Sequence, residues 1–160
     1  MNLDFERKEE INYSIIIPHK NSTVLLERCL KSIPCRKDVQ VIVVDDNSEN
    51  QEELNAVVGG FSQVELILTQ GGGAGHARNE GLKYIRGKWV LFADADDFYN
   101  KNAFSILDNY INSDNDVIYF FANSLDVNTL LPTPREKDLQ NIYEKYDSDN
   151  IRSADYIRFK

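Results

Sequence analysis

Aspartates at the ends of short apolar runs are the residues of this chain best suited to chemistry. Asp45 and Asp46 follow Val41-Ile42-Val43-Val44, and Asp94, Asp96 and Asp97 follow Trp89-Val90-Leu91-Phe92-Ala93. A third run, Ser14-Ile15-Ile16-Ile17-Pro18, ends in His19-Lys20-Asn21. Carboxylates gathered on one rim repel one another unless a cation or a ligand's hydrogen-bond donors neutralise them. A divalent metal answers that need most economically. Capping of the next helix accounts for Asp45 or Asp97 taken singly, and less well for the whole set. An EF-hand does not fit, because Phe98 and Tyr99 stand where Asp94-Ala95-Asp96 would require a further ligand and then glycine.

Gly71-Gly72-Gly73-Ala74-Gly75 invites comparison with a dinucleotide-binding turn but fails on register. A GxGxxG started at Gly73 places its third glycine on Arg78, and one started at Gly71 places it on His76. Gly87-Lys88 fails as a phosphate loop, since Leu82 replaces the first glycine and Trp89 the Ser or Thr. What remains is a glycine turn feeding a helix whose first backbone N–H groups, together with Arg78, suit an anionic phosphate. A plain loop with a surface arginine is the competing reading. His19 suits a structural histidine and a sugar contact equally, and no serine or cysteine nearby has the ordered partners of a nucleophile.

These residues need a scaffold that brings them together, and the pattern of the chain supplies one. Ser14–Pro18 reads as a doubly covered strand, and Leu25, Leu26, Cys29, Leu30 and Ile33 recur at helical spacing after Asn21 and Ser22 until Pro34. Val41–Val44 is a second strand. Ser48 is positioned to cap a helix with Glu49, Glu52 and Glu53 in its first turns, ended by Gly59-Gly60. Val64–Leu68 reads as a third strand, Gly71–Gly75 as a loop, Ala77–Ile85 as a helix closed by Gly87, and Trp89–Ala93 as a fourth, central strand with Trp89 and Phe92 in the core. An amphipathic helix over 103–111 and a fifth strand at Val117–Phe121 follow. Alternation of this kind predicts an α/β fold with a mostly parallel sheet, helices on both faces, and a ligand site outside the carboxyl ends of the strands.

The 160 residues suggest one principal domain, divided into a leader at 1–11, an α/β domain at 12–123 and a polar tail at 124–160. A formal net charge of −8 with no run of Lys or Arg argues against nucleic acid as a partner. No apolar stretch approaches the roughly 18 residues of a transmembrane span, and Met1–Glu10 lacks a signal-peptide core, so a cytoplasmic location is expected. Cys29 and Cys35 have neither metal-ligand spacing nor the density of a disulfide scaffold, and read as a buried thiol and a loop thiol.

Four ordered motifs, Ser14-Ile15-Ile16-Ile17-Pro18 with Asn21, Val43-Val44-Asp45-Asp46-Asn47-Ser48, Gly75-His76-Ala77-Arg78-Asn79-Glu80-Gly81 and Phe92-Ala93-Asp94-Ala95-Asp96-Asp97, together resemble the nucleotide-sugar half of a family 2 glycosyltransferase. The resemblance spans about residues 12 to 121. It implies the Rossmann-like GT-A nucleotide-diphospho-sugar transferase fold and transfer of sugar, with inversion, from a UDP-sugar to a carbohydrate or lipid-linked acceptor in polysaccharide or glycoconjugate synthesis. By resemblance, Pro18 and Asp46 line a uracil pocket with Asp45 as the alternative base contact, and Asn21 and Ala95 belong to the same nucleotide-sugar-binding set. Arg78 lies near the diphosphate or ribose. Asp94-Ala95-Asp96 stands as the DxD motif, Asp94 toward the ribose or metal shell and Asp96 as the direct ligand of Mg²⁺ or Mn²⁺. The chemistry agrees: a metal bridging diphosphate oxygens stabilises the leaving group without proton transfer, and a carboxylate accepting from an imide N–H selects uracil over cytosine.

Departures from the family pattern lie on the acceptor side. Family members that turn over carry an acidic residue there that deprotonates the acceptor hydroxyl, often within a Glu-Asp pair, and no Glu-Asp dipeptide occurs in this sequence. The general base is therefore not identified, and Asp126 or another acid of the tail could serve. The acceptor half is expected to be truncated or minimal, which leaves a nucleotide-sugar-binding module without turnover as the alternative function. Peripheral membrane association of a full enzyme stays open. A phospho-acceptor receiver domain fits poorly, because its acidic pair follows the first strand and here the pair follows the second.

Overall fold

The computed structural model describes residues 10–118. Tyr13–His19 form β1 and Val39–Asp45 form β2, each a run of seven buried residues that must be covered on both faces. Side chains alternate across a strand, and the alternation sorts the core. Ile15, Ile17, Val41 and Val43 face one side, where they meet Leu26, Cys29 and Leu30 of α1 (Thr23–Ser32), Leu54 and Val58 of α2 (Gln51–Val58), and Phe104 and Leu107 of α4 (Ala103–Leu107). Ile16, Ile42 and Val44 face the other side and meet Ala77 of α3 (Gly73–Gly81). β3 (Val64–Leu68) and β4 (Trp89–Phe92) complete a parallel sheet in the order β3-β2-β1-β4.

β1 is thus flanked by β2 on one side and β4 on the other, so the chain reverses its direction of winding beside β1. Ligands of open parallel sheets bind at such a point, outside the carboxyl ends of the strands. At the opposite end of β1 the Ser14 hydroxyl donates to Gln40 at 2.7 Å and accepts from the N–H groups of Arg86 and Gly87 at 3.1 and 2.8 Å. That network fixes where β4 begins.

The α3 face is thin, and Gly81 is the reason it can close. A Cβ at Gly81 would lie 2.6 Å from Ile16 Cγ2 and 3.2 Å from Val44 Cγ2, both buried methyl groups on stiff β-branched side chains. Gly81→Ala is expected to destabilise the fold by roughly 1–3 kcal/mol through overpacking. Gly75→Ala, in the same helix with nothing within 4 Å of the new methyl, should instead stabilise it by roughly 0.5–1 kcal/mol through helix propensity. Chemical denaturation of the two variants checks the opposite signs, and a loss in both would place the strain elsewhere in α3.

Several boundaries differ from those the sequence predicts. α3 starts at Gly73 instead of Ala77, because positive φ angles at Gly71, Gly72 and Gly73 turn the chain into the helix early. It ends at Gly81 and passes into a 3₁₀ turn at Leu82–Tyr84. α2 is capped by Asn50, whose side chain accepts from the Glu53 N–H at 3.0 Å. Ser48 is unavailable for that task, being bonded to Asp45. The helix predicted over 103–111 is α4 followed by a 3₁₀ turn at Asp108–Tyr110. β4 stands at the edge of the described sheet, so Trp89 is half-buried and Phe92 is 53% exposed, not central core. Of the fifth strand, Val117 and Ile118 are irregular and the remainder lies outside the described residues, as does the expected boundary at 123/124. Asp114 closes one compact unit and Asn115 opens a second, of which residues 115–118 are described. No described helix is long and apolar enough to cross a membrane.

Candidate functional site

The carboxyl ends of β1, β2 and β4 and the first turn of α3 surround an open cleft of about 440 Å³, within the usual range of small-molecule sites. Pro18, Lys20, Asp46, Gly73, Arg78 and Asp96 line it, with Asp94 and Ala95 between β4 and the helix end. The structure therefore brings together Pro18, Asp46, Arg78, Asp94, Ala95 and Asp96. It does not bring Asp45 or Asn21 into the cleft.

Asp45 is fully buried and turned into the protein. One carboxylate oxygen meets His19 Nδ1 at 2.9 Å and the Ser48 hydroxyl, and the other accepts from the Ser48 N–H at 2.9 Å and Gln51 Nε2 at 2.8 Å. Burial alone would raise its pKa, but the bonds from Ser48, Gln51 and His19 outweigh that and hold the carboxyl below the usual range. With both oxygens committed, Asp45 is not the alternative base contact. Asn21 sits at φ 51°, a conformation asparagine tolerates. Its side-chain oxygen accepts from the Glu49 N–H and its own N–H donates to Ser48 Oγ, both at 2.9 Å. It ties the loop after β1 to the loop after β2, and reaches no ligand space of the cleft.

His19 is resolved by the same network. The Ser22 N–H donates to Nε2 at 3.2 Å, so Nε2 is an acceptor and the ring proton rests on Nδ1, facing Asp45. Both nitrogens serve the loop, and the residue also borders the cleft.

Asp46 differs from its neighbour. Its Oδ1 accepts from the Gly73 N–H at 2.9 Å and its Oδ2 lies 3.5 Å from the Lys20 ammonium, at the wall of the cleft. The carboxylate thus caps α3 and faces the ligand space at once. Arg78, in the last turn of α3, donates to Asp94 Oδ1, and the Asp94 side chain is 55% exposed. Ala95 packs into the core, which leaves Asp94 and Asp96 exposed on either side of it. Asp97 has its pKa raised, first by partial burial and then by the charges of Asp96 and Asp94.

Asp94 and Asp96 can hold a divalent cation in the manner of Mg²⁺, which takes one or two carboxylates and draws its remaining ligands from phosphate oxygens and water. Among the described residues no group of three or more His, Cys, Asp or Glu side chains forms a cage by itself. Sequence reasoning missed Lys20, Gly73 and Ala74. Lys20 was legible only as the neighbour of His19 and Asn21, and Gly73 and Ala74 were hidden by reading the glycine run as loop.

Comparison with known proteins identifies the family and relatives of the fold. Residues 14–158 match the model of Glycosyl transferase family 2. The chain is 34% identical over 98 residues to a poly(ribitol-phosphate) beta-glucosyltransferase of Bacillus spizizenii, covering 56% of this chain and 16% of that protein. It is 38% identical over 106 residues to the poly(ribitol-phosphate) beta-N-acetylglucosaminyltransferase TarS of Staphylococcus aureus, covering 58% of this chain and 18% of TarS. A crystal structure of S. aureus TarS residues 1–349 superposes with a TM-score of 0.56 at 28% identity, covering 63% of this chain and 32% of the other. The chain thus spans less than a fifth of the length of these two curated relatives.

Proposed function

The chain belongs to glycosyl transferase family 2, and from that premise we propose that it is the donor-binding part of a metal-dependent enzyme that moves sugar from a UDP-sugar to a hydroxyl of a carbohydrate or lipid-linked acceptor in polysaccharide or glycoconjugate synthesis. The observation that carries the reading is the cleft itself, whose lining combines Pro18 and Asp46, Gly73 at the start of α3, Arg78, and the pair Asp94 and Asp96. Those groups suit a base, a diphosphate and a metal by their chemistry. Asp46 accepts from the uracil imide N–H. Arg78 and the first-turn N–H groups of α3 that follow Gly73 take phosphate oxygens, for which they are suited by charge and by the orientation of the helix dipole. Asp96, with Asp94 beside it, holds Mg²⁺ or Mn²⁺ against the diphosphate, and the cation supplies stabilisation of the charge that develops on the departing UDP.

The acceptor is assigned to the glycopolymer class because the relatives include enzymes named for poly(ribitol-phosphate). Inversion by a single in-line displacement needs a carboxylate to take the acceptor proton. Asp46, Asp94 and Asp96 are already committed to the donor, so none of these three is assigned as the base. Synthesis from an intracellular nucleotide-sugar pool fits a cytoplasmic site of action.

The test is thermal melting with UDP, GDP and ADP, each with Mn²⁺ or with EDTA. UDP with Mn²⁺ should raise the melting temperature well above either alone, because diphosphate and aspartates otherwise repel. Asp96→Ala should remove the Mn²⁺-dependent part and leave the metal-free melting temperature unchanged, since an exposed carboxylate contributes little packing. Equal stabilisation by UDP in EDTA would overturn the metal assignment, and equal stabilisation by the three nucleotides would overturn the base assignment.

A further inference from the structure

One face of α1 grips the acidic turn by its main chain. Arg28 Nη2 donates to the carbonyl oxygen of Asp96, and its guanidinium lies over the Phe98 ring, 5.3 Å from the centroid. One helical turn later, Ser32 Oγ accepts from the Tyr99 N–H at 2.9 Å while donating to the Cys29 carbonyl at 2.6 Å. The Tyr99 ring in turn packs on Phe104, with centroids 5.3 Å apart. Residues four apart on a helix lie on one face, so the two contacts hold the two ends of the segment Asp96–Tyr99.

We infer that Arg28 and Ser32 are positioning residues that set the direction of the Asp96 carboxylate toward the cleft. The inference rests on the reading of Asp96 as a metal-holding residue, and goes beyond it by assigning the aim of that carboxylate to α1. The contacts fall on main-chain atoms, so they fix the turn while leaving the Asp96 carboxylate exposed for a ligand. Arg28 also gives up something to be there: its Nε is buried and has no hydrogen-bond partner among the described residues. A buried donor left unpaired is unfavourable, which argues that the guanidinium is held in place for the contact it makes. A turn carrying Asp94, Asp96 and Asp97 would otherwise relax by splaying its charges apart, and the aim of a metal-holding carboxylate tolerates little such freedom.

The test uses the full 160-residue chain and calorimetric titration of UDP, in saturating Mn²⁺ and in EDTA, for the parent, Arg28→Met, Arg28→Lys, Ser32→Ala and Asp96→Ala. The quantity read is the ratio of the two affinities, which isolates the metal-dependent contribution. Arg28→Met keeps an apolar stem over Phe98, and should lower the ratio roughly tenfold with the affinity in EDTA and the melting temperature near those of the parent. Ser32→Ala should lower it in the same direction by less, and Arg28→Lys should recover part of it by restoring a cationic donor. If Arg28→Met folds poorly, Ser32→Ala carries the test, because alanine suits the helix. An unchanged ratio in Arg28→Met and Ser32→Ala, with Asp96→Ala abolishing it, overturns the clamp and leaves the Asp96 reading standing. A fall of both affinities in step with the melting temperature shows a merely structural role and also overturns it. A parent ratio near one, or a ratio unaffected in Asp96→Ala, overturns the Asp96 reading and the clamp with it.

Discussion

Asp45→Ala should destabilise the fold by roughly 3–5 kcal/mol, although Asp46→Ala one residue later should cost far less. Asp45 is fully buried, and its removal strands the Nδ1–H of His19 and the main-chain N–H and hydroxyl of Ser48 around an empty space, while Gln51 Nε2 keeps only its bond to the Ser48 carbonyl. The donors of His19 and Ser48 are ones that water cannot easily reach. Against a total stability of about 5–15 kcal/mol for a domain, that loss is a large fraction, and the midpoint of urea unfolding should fall accordingly. The same carboxyl has its pKa held below the usual value. A depressed folded pKa means that the carboxylate's contribution is complete above the unfolded value of about 3.9 and is lost as the pH falls through the lower folded value. Stability between pH 5 and 8 should therefore be insensitive to Asp45. A near-native midpoint for Asp45→Ala would show that the His19 and Ser48 loop holds without it.

The contrast between these two adjacent aspartates marks where sequence reasoning runs out. Order and type of the elements were legible because each signal is local: β-branched runs such as Ile15-Ile16-Ile17 and Val41–Val44, and apolar residues at helical spacing in α1. Which of two neighbouring carboxylates faces the cleft is not local. It depends on the alternation of β2 carried past its end and on Ser48, Gln51 and His19 arriving from three different segments. The early start of α3 was hidden for a related reason. Glycines read as loop by propensity, yet positive φ at Gly71–Gly73 and the carboxylate of Asp46 on the Gly73 N–H together begin a helix there. The exposure of Phe92 was hidden because an apolar run looks the same in a central strand and in one at the edge of the described sheet.

Asp46→Asn should invert the base preference of the cleft, and the hydrogen bond from Gly73 is what makes the prediction sharp. In the parent, Oδ1 accepts from the Gly73 N–H at 2.9 Å, and Oδ2, near Lys20, is the oxygen that the proposed reading assigns to the uracil imide. An asparagine at this position has one oxygen to offer, and the Gly73 N–H, fixed at the start of α3, claims it. The amide nitrogen then points where Oδ2 was, presenting a donor to the N3–H of uracil and toward the Lys20 ammonium. Donor against donor, together with loss of the charge, should weaken UDP binding by roughly 1–3 kcal/mol, or about 5- to 150-fold. Cytosine carries an acceptor at N3, so CDP should hold its affinity or gain. Helix α3 should stay capped, and the melting temperature without ligand should move little. Titration of UDP and CDP, both in Mn²⁺, into the parent and the variant reads the outcome as a ratio of ratios, from which any common loss cancels. Equal losses for the two nucleotides would move the base contact away from Asp46. A gain for CDP with a loss for UDP would tie base recognition in this cleft to a carboxylate whose orientation is set by the first amide of the neighbouring helix.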